Sequence, residues 1–262
     1  MTTENFSPLM LGTCRTHDPV KFLREKGCVA YITNERYHSP QQLLKIVKFL
    51  SKTIEIPKTE LHTLSDFTIE QIVAGQSLDS IYEQLLNQRS FWEKATHLVI
   101  EISTRKEFYY TQKDKQIFVN TFTKRDLTQY QSELQTFYDK GLLKPLYADD
   151  IQETNSSETR IHSIMSQIKS LGKDKKILWV SHISPSDKQP NLEYLISQRN
   201  LLANQQESLA NKLGDKFFNP TVVAGKLGDN LFFKDNGQDI NHMTAAGAQE
   251  LANYYFDILK DY

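Results

Sequence analysis

The chain has 262 residues, 39% hydrophobic and 24% charged, with a formal net charge of -1, the composition of a globular protein able to bury a sizeable core. Lys and Arg are dispersed among Asp and Glu, so no global field gathers nucleic acid or an acidic membrane. No apolar run approaches the ~18 residues of a membrane span, and Met1–Phe6 lacks the basic and apolar regions of a signal peptide, so a cytoplasmic protein is expected.

Ser7–Leu11 reads as a first strand ending at Gly12-Thr13-Cys14. Asp18-Pro19 predicts a helix start, with Asp as cap and Pro at the first helical position, and Gly27 predicts its end. Cys28–Thr33, β-branched and aromatic, predicts a second strand. Ser39-Pro40-Gln41-Gln42 has capping-box spacing and opens a helix in which Leu43, Leu44, Ile46, Val47 and Leu50 form an apolar stripe. A second box at Thr68 and Gln71 predicts another helix, followed by one from about Leu78 to Trp92. His97–Ser103 is the next strand, and Lys106–Thr111 and Gln116–Asn120 flank Lys113-Asp114-Lys115 as a hairpin. Asp126–Gly141 is helical. So is the stretch carrying Ile161, Ile164, Met165, Ile168 and Leu171, which Gly172 stops. Lys176–Val180 is a fourth strand of the main sheet and delivers Ser181-His182. Leu192–Leu213 is a long helix stopped by Gly214, Val222-Val223 a short strand, and Thr244–Leu259 the last helix.

Strands alternating with helices argue for an α/β domain whose mostly parallel sheet is covered on both faces. Without repeats or Pro/Gly linkers, residues 1–262 read as one domain, with the least regular segment, 104–153, as a lid or inserted subdomain. Two cysteines are too few for a disulfide framework or a structural zinc site. If the first two strands are parallel neighbours, Cys14 and Cys28 lie at opposite sheet edges. That is beyond the ~7 Å between Cα atoms that a disulfide tolerates.

Ligands of open α/β sheets bind outside the carboxyl ends of the strands. Cys14, Ser103 and Ser181-His182 fall at that edge, and Asp239-Ile240-Asn241-His242 precedes the final helix. Acyl transfer needs a nucleophile, a base and a carboxylate to orient the base, which Cys14, His242 and Asp239 would supply. Helix amides near Cys14 would favour its thiolate, and its own N–H is a candidate oxyanion donor. Arg15 would add positive potential or meet an acidic group of the substrate. The bland alternatives are a buried structural thiol at Cys14 and a capping turn at Asp239 in which His242 is incidental. His17 is an alternative base. His38, His62, His97 and His162 show no partner pattern and read as structural or solvent-facing. No metal-ligand spacing and no phosphate-cradling glycine loop occurs, so no metal is expected.

Gly12-Thr13-Cys14 after the first strand and Asp239-x-x-His242 before the last helix resemble the SGNH (GDSL-like) hydrolase superfamily. Those enzymes carry Gly-Asp-Ser and Asp-x-x-His blocks at these two places. The Gly-Thr-Cys opening is most similar to the GSCFA-type branch and to cysteine-bearing acetyltransferases of bacterial polysaccharide biosynthesis. A long helix with Arg199 and the Phe217-Phe218-Asn219-Pro220 stretch fit the same spacing. The resemblance implies a three-layer α/β/α fold with a flavodoxin-like sheet. It also implies acyl transfer through acyl-Cys14 to a carbohydrate of surface-polysaccharide biosynthesis. A coenzyme A thioester would be the co-substrate, with no permanently bound cofactor. The family's Gly-x-Asn-Asp block is missing, since Ser103-Thr104-Arg105 stands there, which leaves Gly12, Thr13, Asn34, Ser103, Ser181 and His182 as oxyanion or substrate-binding candidates. An esterase or thioesterase using the same residues, and a non-catalytic carbohydrate-binding protein of this fold, are the rival readings.

Overall fold

The computed structural model describes residues 6–64, 66–185 and 190–262. The chain begins β1 (Pro8–Leu11), α1 (Cys14–His17), α2 (Val20–Glu25), β2 (Tyr31–Ile32) and α3 (Pro40–Leu50). Three helices, α4 (Asp66–Val73), α5 (Leu78–Asn87) and α6 (Arg89–Lys94), lead to β3 (His97–Ile102) and the hairpin β4 (Lys106–Gln112) and β5 (Lys115–Val119). Next come α7 (Thr123–Asp139), β6 (Gln152–Asn155), α8 (Glu158–Leu171), β7 (Lys176–Ser181), α9 (Glu193–Leu213) and β8 (Lys216–Phe218). The chain closes with α10 (Thr221–Leu227), α11 (Asp229–Phe232), β9 (Phe233–Lys234), β10 (Asp239–Met243) and α12 (Ala245–Lys260). Residues 1–5, on which the expectation of no leader largely rested, lie outside the described residues.

The central sheet has the order β2-β1-β3-β7-β8 and every pairing is parallel. Side chains alternate across it. Leu9, Leu11, Leu98, Ile100, Ile177 and Trp179 join one buried cluster with residues of α3, α8 and α9. Met10, Val99, Leu178 and Val180 join a second with residues of α2, α10 and α12. The sheet is therefore the middle of three layers, and burial on both faces explains why its strands read as unbroken apolar runs. Glu101, in β3, interrupts that run yet is 0% exposed.

A separate antiparallel sheet, β5-β4-β6, forms in the irregular segment, with α7 between β5 and β6. Lys113 and Asp114 turn its hairpin with φ of 47° and 61°, the positive pair that matches the twist of the flanking strands. Gly214 ends α9 in the left-handed conformation, φ 70°, where a side chain would be strained.

Several local expectations give way. The first helical turn opens at Cys14 rather than Asp18, because Thr13 supplies the cap, and Pro19, not Asp18, precedes α2 without a side-chain cap bond. The second strand keeps only Tyr31–Ile32 of the predicted Cys28–Thr33, since only Leu9 and Met10 of β1 pair with it. Thr68 lies inside α4, and the helix expected over Leu78–Trp92 is two, joined at Gln88. Val222 and Val223 are helical: Pro220 starts a helix there, and the edge strand forms earlier, at Lys216–Phe218. Cys14 and Cys28 are both free thiols. No helix of the described residues is long and apolar enough to cross a membrane.

Burial has a readable effect at His62, 1% exposed. Desolvation, reinforced by Lys45, pulls its pKa down from 6.5 to about 4. The unfolded chain therefore binds the extra proton first. The stability gained from a neutral ring, up to about 3 kcal/mol, is fully present above pH 6.5 and is lost as the pH falls towards 4. Replacing His62 by leucine is expected to flatten the acid slope of Tm in that window by about one proton's worth. An unchanged slope in scanning calorimetry would refute this.

Candidate active site

An open parallel sheet binds ligands where its strand order reverses, here between β1 and β3. The chain leaves β1 through Gly12 and Thr13 into α1. The Thr13 N–H and hydroxyl donate to Glu101 Oε2 at 3.0 and 2.6 Å, and the same hydroxyl oxygen accepts from the Arg15 N–H at 3.4 Å. Arg15 Nη1 donates to Thr13 Oγ1 at 3.2 Å and lies 3.8 Å from Glu101 Oε1. Its Nη2 donates to the Asn241 carbonyl at 3.2 Å. Arg15 is 3% exposed; its bonds brace the turn, and it lines the same cleft as Cys14.

Gly12 makes this packing possible. A Cβ there would lie 2.7 Å from Glu101 Cβ and 2.9 Å from Thr16 Oγ1. Gly12→Ala is expected to cost about 1–3 kcal/mol by overpacking, measured by denaturant unfolding. Unchanged stability would mean the turn yields freely.

Cys14, 8% exposed, directs its thiol to the Asn241 carbonyl at 3.6 Å. Burial raises its pKa above the ordinary thiol value; Arg15 opposes the shift and Glu101 adds to it. The expected helix-stabilised thiolate is thereby corrected: α1 spans 4 residues, too short for a strong dipole, and desolvation prevails. The Cys14 N–H, as the first amide of the helix, has no intrahelical acceptor.

His242 Nδ1 lies 2.6 Å from Asp239 Oδ2. A neutral ring that donates from Nδ1 leaves Nε2 as an acceptor. Partial burial pushes the Asp239 carboxyl up, but hydrogen bonds from the His242 ring and the Asn241 amide hold it below the usual carboxylate range. The block is not a simple turn: β10 pairs antiparallel with β9, with a register irregularity between Asp239 and Met243. Cys14, Asn241 and His242 line one cleft of about 570 Å³, together with Arg36, His38 and Arg125.

The remaining candidates separate. Asn34 is exposed and does not line the cleft, whereas Arg36 and His38, further along the same loop, do. Ser103 Oγ sits 3.2 Å from His38 Nδ1 and lines a neighbouring cleft of about 600 Å³. Ser181 is buried, donating to Asn219 Oδ1 at 3.2 Å. His182 Nδ1 lies 2.8 Å from the Ile183 carbonyl. That contact requires a proton on Nδ1 and makes Nε2 an acceptor. Burial, with Arg15 and Arg199, keeps the ring neutral, so His182 offers an oxyanion no proton. His17 is pulled down to about 4 by burial and then by Arg36, and it lines neither cleft. Among the described residues, no group of three or more His, Cys, Asp or Glu side chains could hold a metal ion.

Residues 111–258, more than half of the chain, match the family model described as the TviD N-terminal domain. The chain belongs to the TviD N-terminal domain family. The matched span includes Asp239 and His242 and begins after Cys14. No curated protein matches the chain. Among solved structures, a member of the lipolytic G-D-S-L family from Veillonella parvula is similar at 9% identity, covering 97% of each chain with TM-score 0.49. A catalytic mutant of Axe2, an acetylxylan esterase from Geobacillus stearothermophilus, shares 11% identity over 98% of this chain and 96% of its own, TM-score 0.45. The periplasmic domain of a lipopolysaccharide acetyltransferase from Salmonella ser. Paratyphi A shares 9% over 98% and 84%, TM-score 0.41.

The cleft and its surroundings also involve residues that the sequence did not single out. Glu101 looked like a charge in a strand. Its apolar neighbours on both sides, Ile100 and Ile102, were the available signal that it is buried. His38 carried no partner pattern because its partner, Ser103, comes from another strand end. Asn241 was legible only as part of the Asp-x-x-His spacing. Its side chain accepts from Arg199 Nη2 at 3.2 Å, and burial, then Arg15, lowers that guanidinium's pKa to about 9.

Proposed function

We propose that the chain is an acyltransferase that works through an acyl-Cys14 thioester. Its donor is an acyl-CoA and its acceptor a carbohydrate hydroxyl in surface-polysaccharide biosynthesis, with acetyl as the group transferred. The observation that carries the reading is the single cleft shared by the Cys14 thiol and a His242 ring whose Nδ1 is anchored on Asp239. A thiol raised by burial is protonated at rest, so attack needs a base. His242 Nε2 takes the Cys14 proton as sulfur attacks the thioester carbonyl. The bond from that carbonyl to the CoA sulfur breaks, and the leaving thiolate recovers the proton from His242. An acceptor hydroxyl then gives its proton to His242, attacks the acyl-Cys14 carbonyl and releases Cys14 as the thiolate, which His242 reprotonates. The first step exchanges thioester for thioester and is near balance, whereas transfer to oxygen runs downhill. The Cys14 N–H, the first amide of α1 and without an intrahelical acceptor, is the candidate donor to a developing oxyanion.

The test is intact-protein mass after brief exposure to acetyl-CoA. One added acetyl group, absent in Cys14→Ala, supports the reading. An adduct formed by simple esters but not by acetyl-CoA would instead make the protein an esterase. No adduct from either would leave the carbohydrate-binding reading.

A further inference from the structure

The cleft beside Ser103 is separate from the Cys14 cleft, yet His38 and His182 wall both. Arg199 lines it and donates to Asn241 Oδ1 at 3.2 Å, and the backbone carbonyl of the same Asn241 receives the Cys14 thiol. Asn241 therefore links a residue of this second cleft to the nucleophile. Its volume, about 600 Å³, matches that of small-molecule sites.

The lining has a particular chemistry. Arg105, Lys106 and Arg199 bring positive charge, and no carboxylate lines the cleft among the described residues. Arg105 is held in place by an Nε bond to the Ser156 carbonyl at 2.8 Å, and Lys106 pairs with exposed Glu153 at 3.0 Å. Tyr194, 80% exposed, lines the same cleft and leaves its ring open to solvent. Fixed guanidinium groups suit phosphate oxygens, and an exposed ring in the same cleft suits a flat base by stacking.

We infer that this second cleft binds the phosphorylated nucleotide end of the acyl donor, with the thioester arm passing His38 and His182 to reach Cys14. The inference rests on the acyl-CoA reading above. It leaves the Cys14 cleft open to the acceptor.

The experiment is calorimetric titration of adenosine 3′,5′-diphosphate and of CoA into the unmodified protein, Cys14→Ala, Arg105→Glu and Tyr194→Ala. Both ligands are expected to bind the unmodified protein and Cys14→Ala with similar Kd. Arg105→Glu and Tyr194→Ala are each expected to weaken binding about tenfold or more. Tyr194 is a surface residue, so its variant tests the site even if Arg105→Glu perturbs the loop anchored on Ser156. Absence of binding, or equal Kd in both variants, would overturn the inference. Binding of UDP in place of the adenosine diphosphate would also overturn it, assigning the cleft to a nucleotide-linked acceptor. Because nucleotide binding needs no thiol chemistry, failure here leaves the acyl-Cys14 reading standing. An absent Cys14 adduct with intact nucleotide binding would sink that reading alone.

Discussion

Cys14→Ala is expected to lower acyl transfer by roughly 10⁴-fold or more, and His242→Ala by a similar factor, with the double variant no worse than either single one. On the proposed acyl-Cys14 route the two act as one unit, which makes their losses non-additive. Without the thiol there is no acyl acceptor for His242 to serve, and without the ring the Cys14 proton, held by burial, has no base to receive it. Asp239→Asn is expected to cost less than removal of either, because it changes the tautomer and aim of His242 while leaving the ring present. Steady-state rates with acetyl-CoA and a glycan acceptor decide this. If the losses from Cys14→Ala and His242→Ala multiply, the two do not act in one step, and the assignment of His242 as base to Cys14 is wrong.

The second large effect is structural. Glu101→Ala is expected to destabilise the fold by about 3–5 kcal/mol, because it leaves Arg15 buried without its carboxylate. The pair sits at 3.8 Å with side chains 4% and 0% exposed, and Glu101 also accepts both Thr13 bonds. Burial raises the Glu101 pKa, and Arg15 and the Thr13 hydroxyl oppose that rise without cancelling it. A paired change, Glu101→Leu with Arg15→Met, is expected to recover most of the stability, since apolar replacement of a buried pair is often close to neutral. Transfer should not recover with it, because Thr13 would have lost its acceptor and Cys14 its aim. Stability and rate returning together would mean that Glu101 only fills space.

Much of the fold was legible in local pattern. The Ser39 capping box with its apolar stripe, the run ending at Gly172, the Gly214 stop and the Lys113-Asp114 hairpin each depend on residues a few positions apart, and each formed as read. The failures are at short elements. Val222-Val223 has strand propensity but follows a proline that starts a helix, and Cys28–Thr33 is apolar enough for a strand but meets only two partners in β1. Propensity is a weak prior where packing or pairing decides.

The two motif blocks could be found by sequence alone because each is local: Thr13 caps the turn that carries Cys14, and Asp239 reaches a ring three residues away. The rest of the site was not legible in this way. Thr13 meets Glu101 across 88 residues, and Cys14 meets the Asn241 carbonyl across 227. The sequence by itself determined an α/β chain with a nucleophile candidate after its first strand and a His-Asp pair before its last helix. Only the tertiary structure decided that these share a cleft, that Arg15 and Glu101 brace it, and that a second cationic cleft adjoins it. The reason is physical: caps and periodicity are set by neighbours along the chain. Burial, which raises the Cys14 pKa, neutralises His182 and commits Arg15 to Glu101, is set by whatever the sheet order brings alongside.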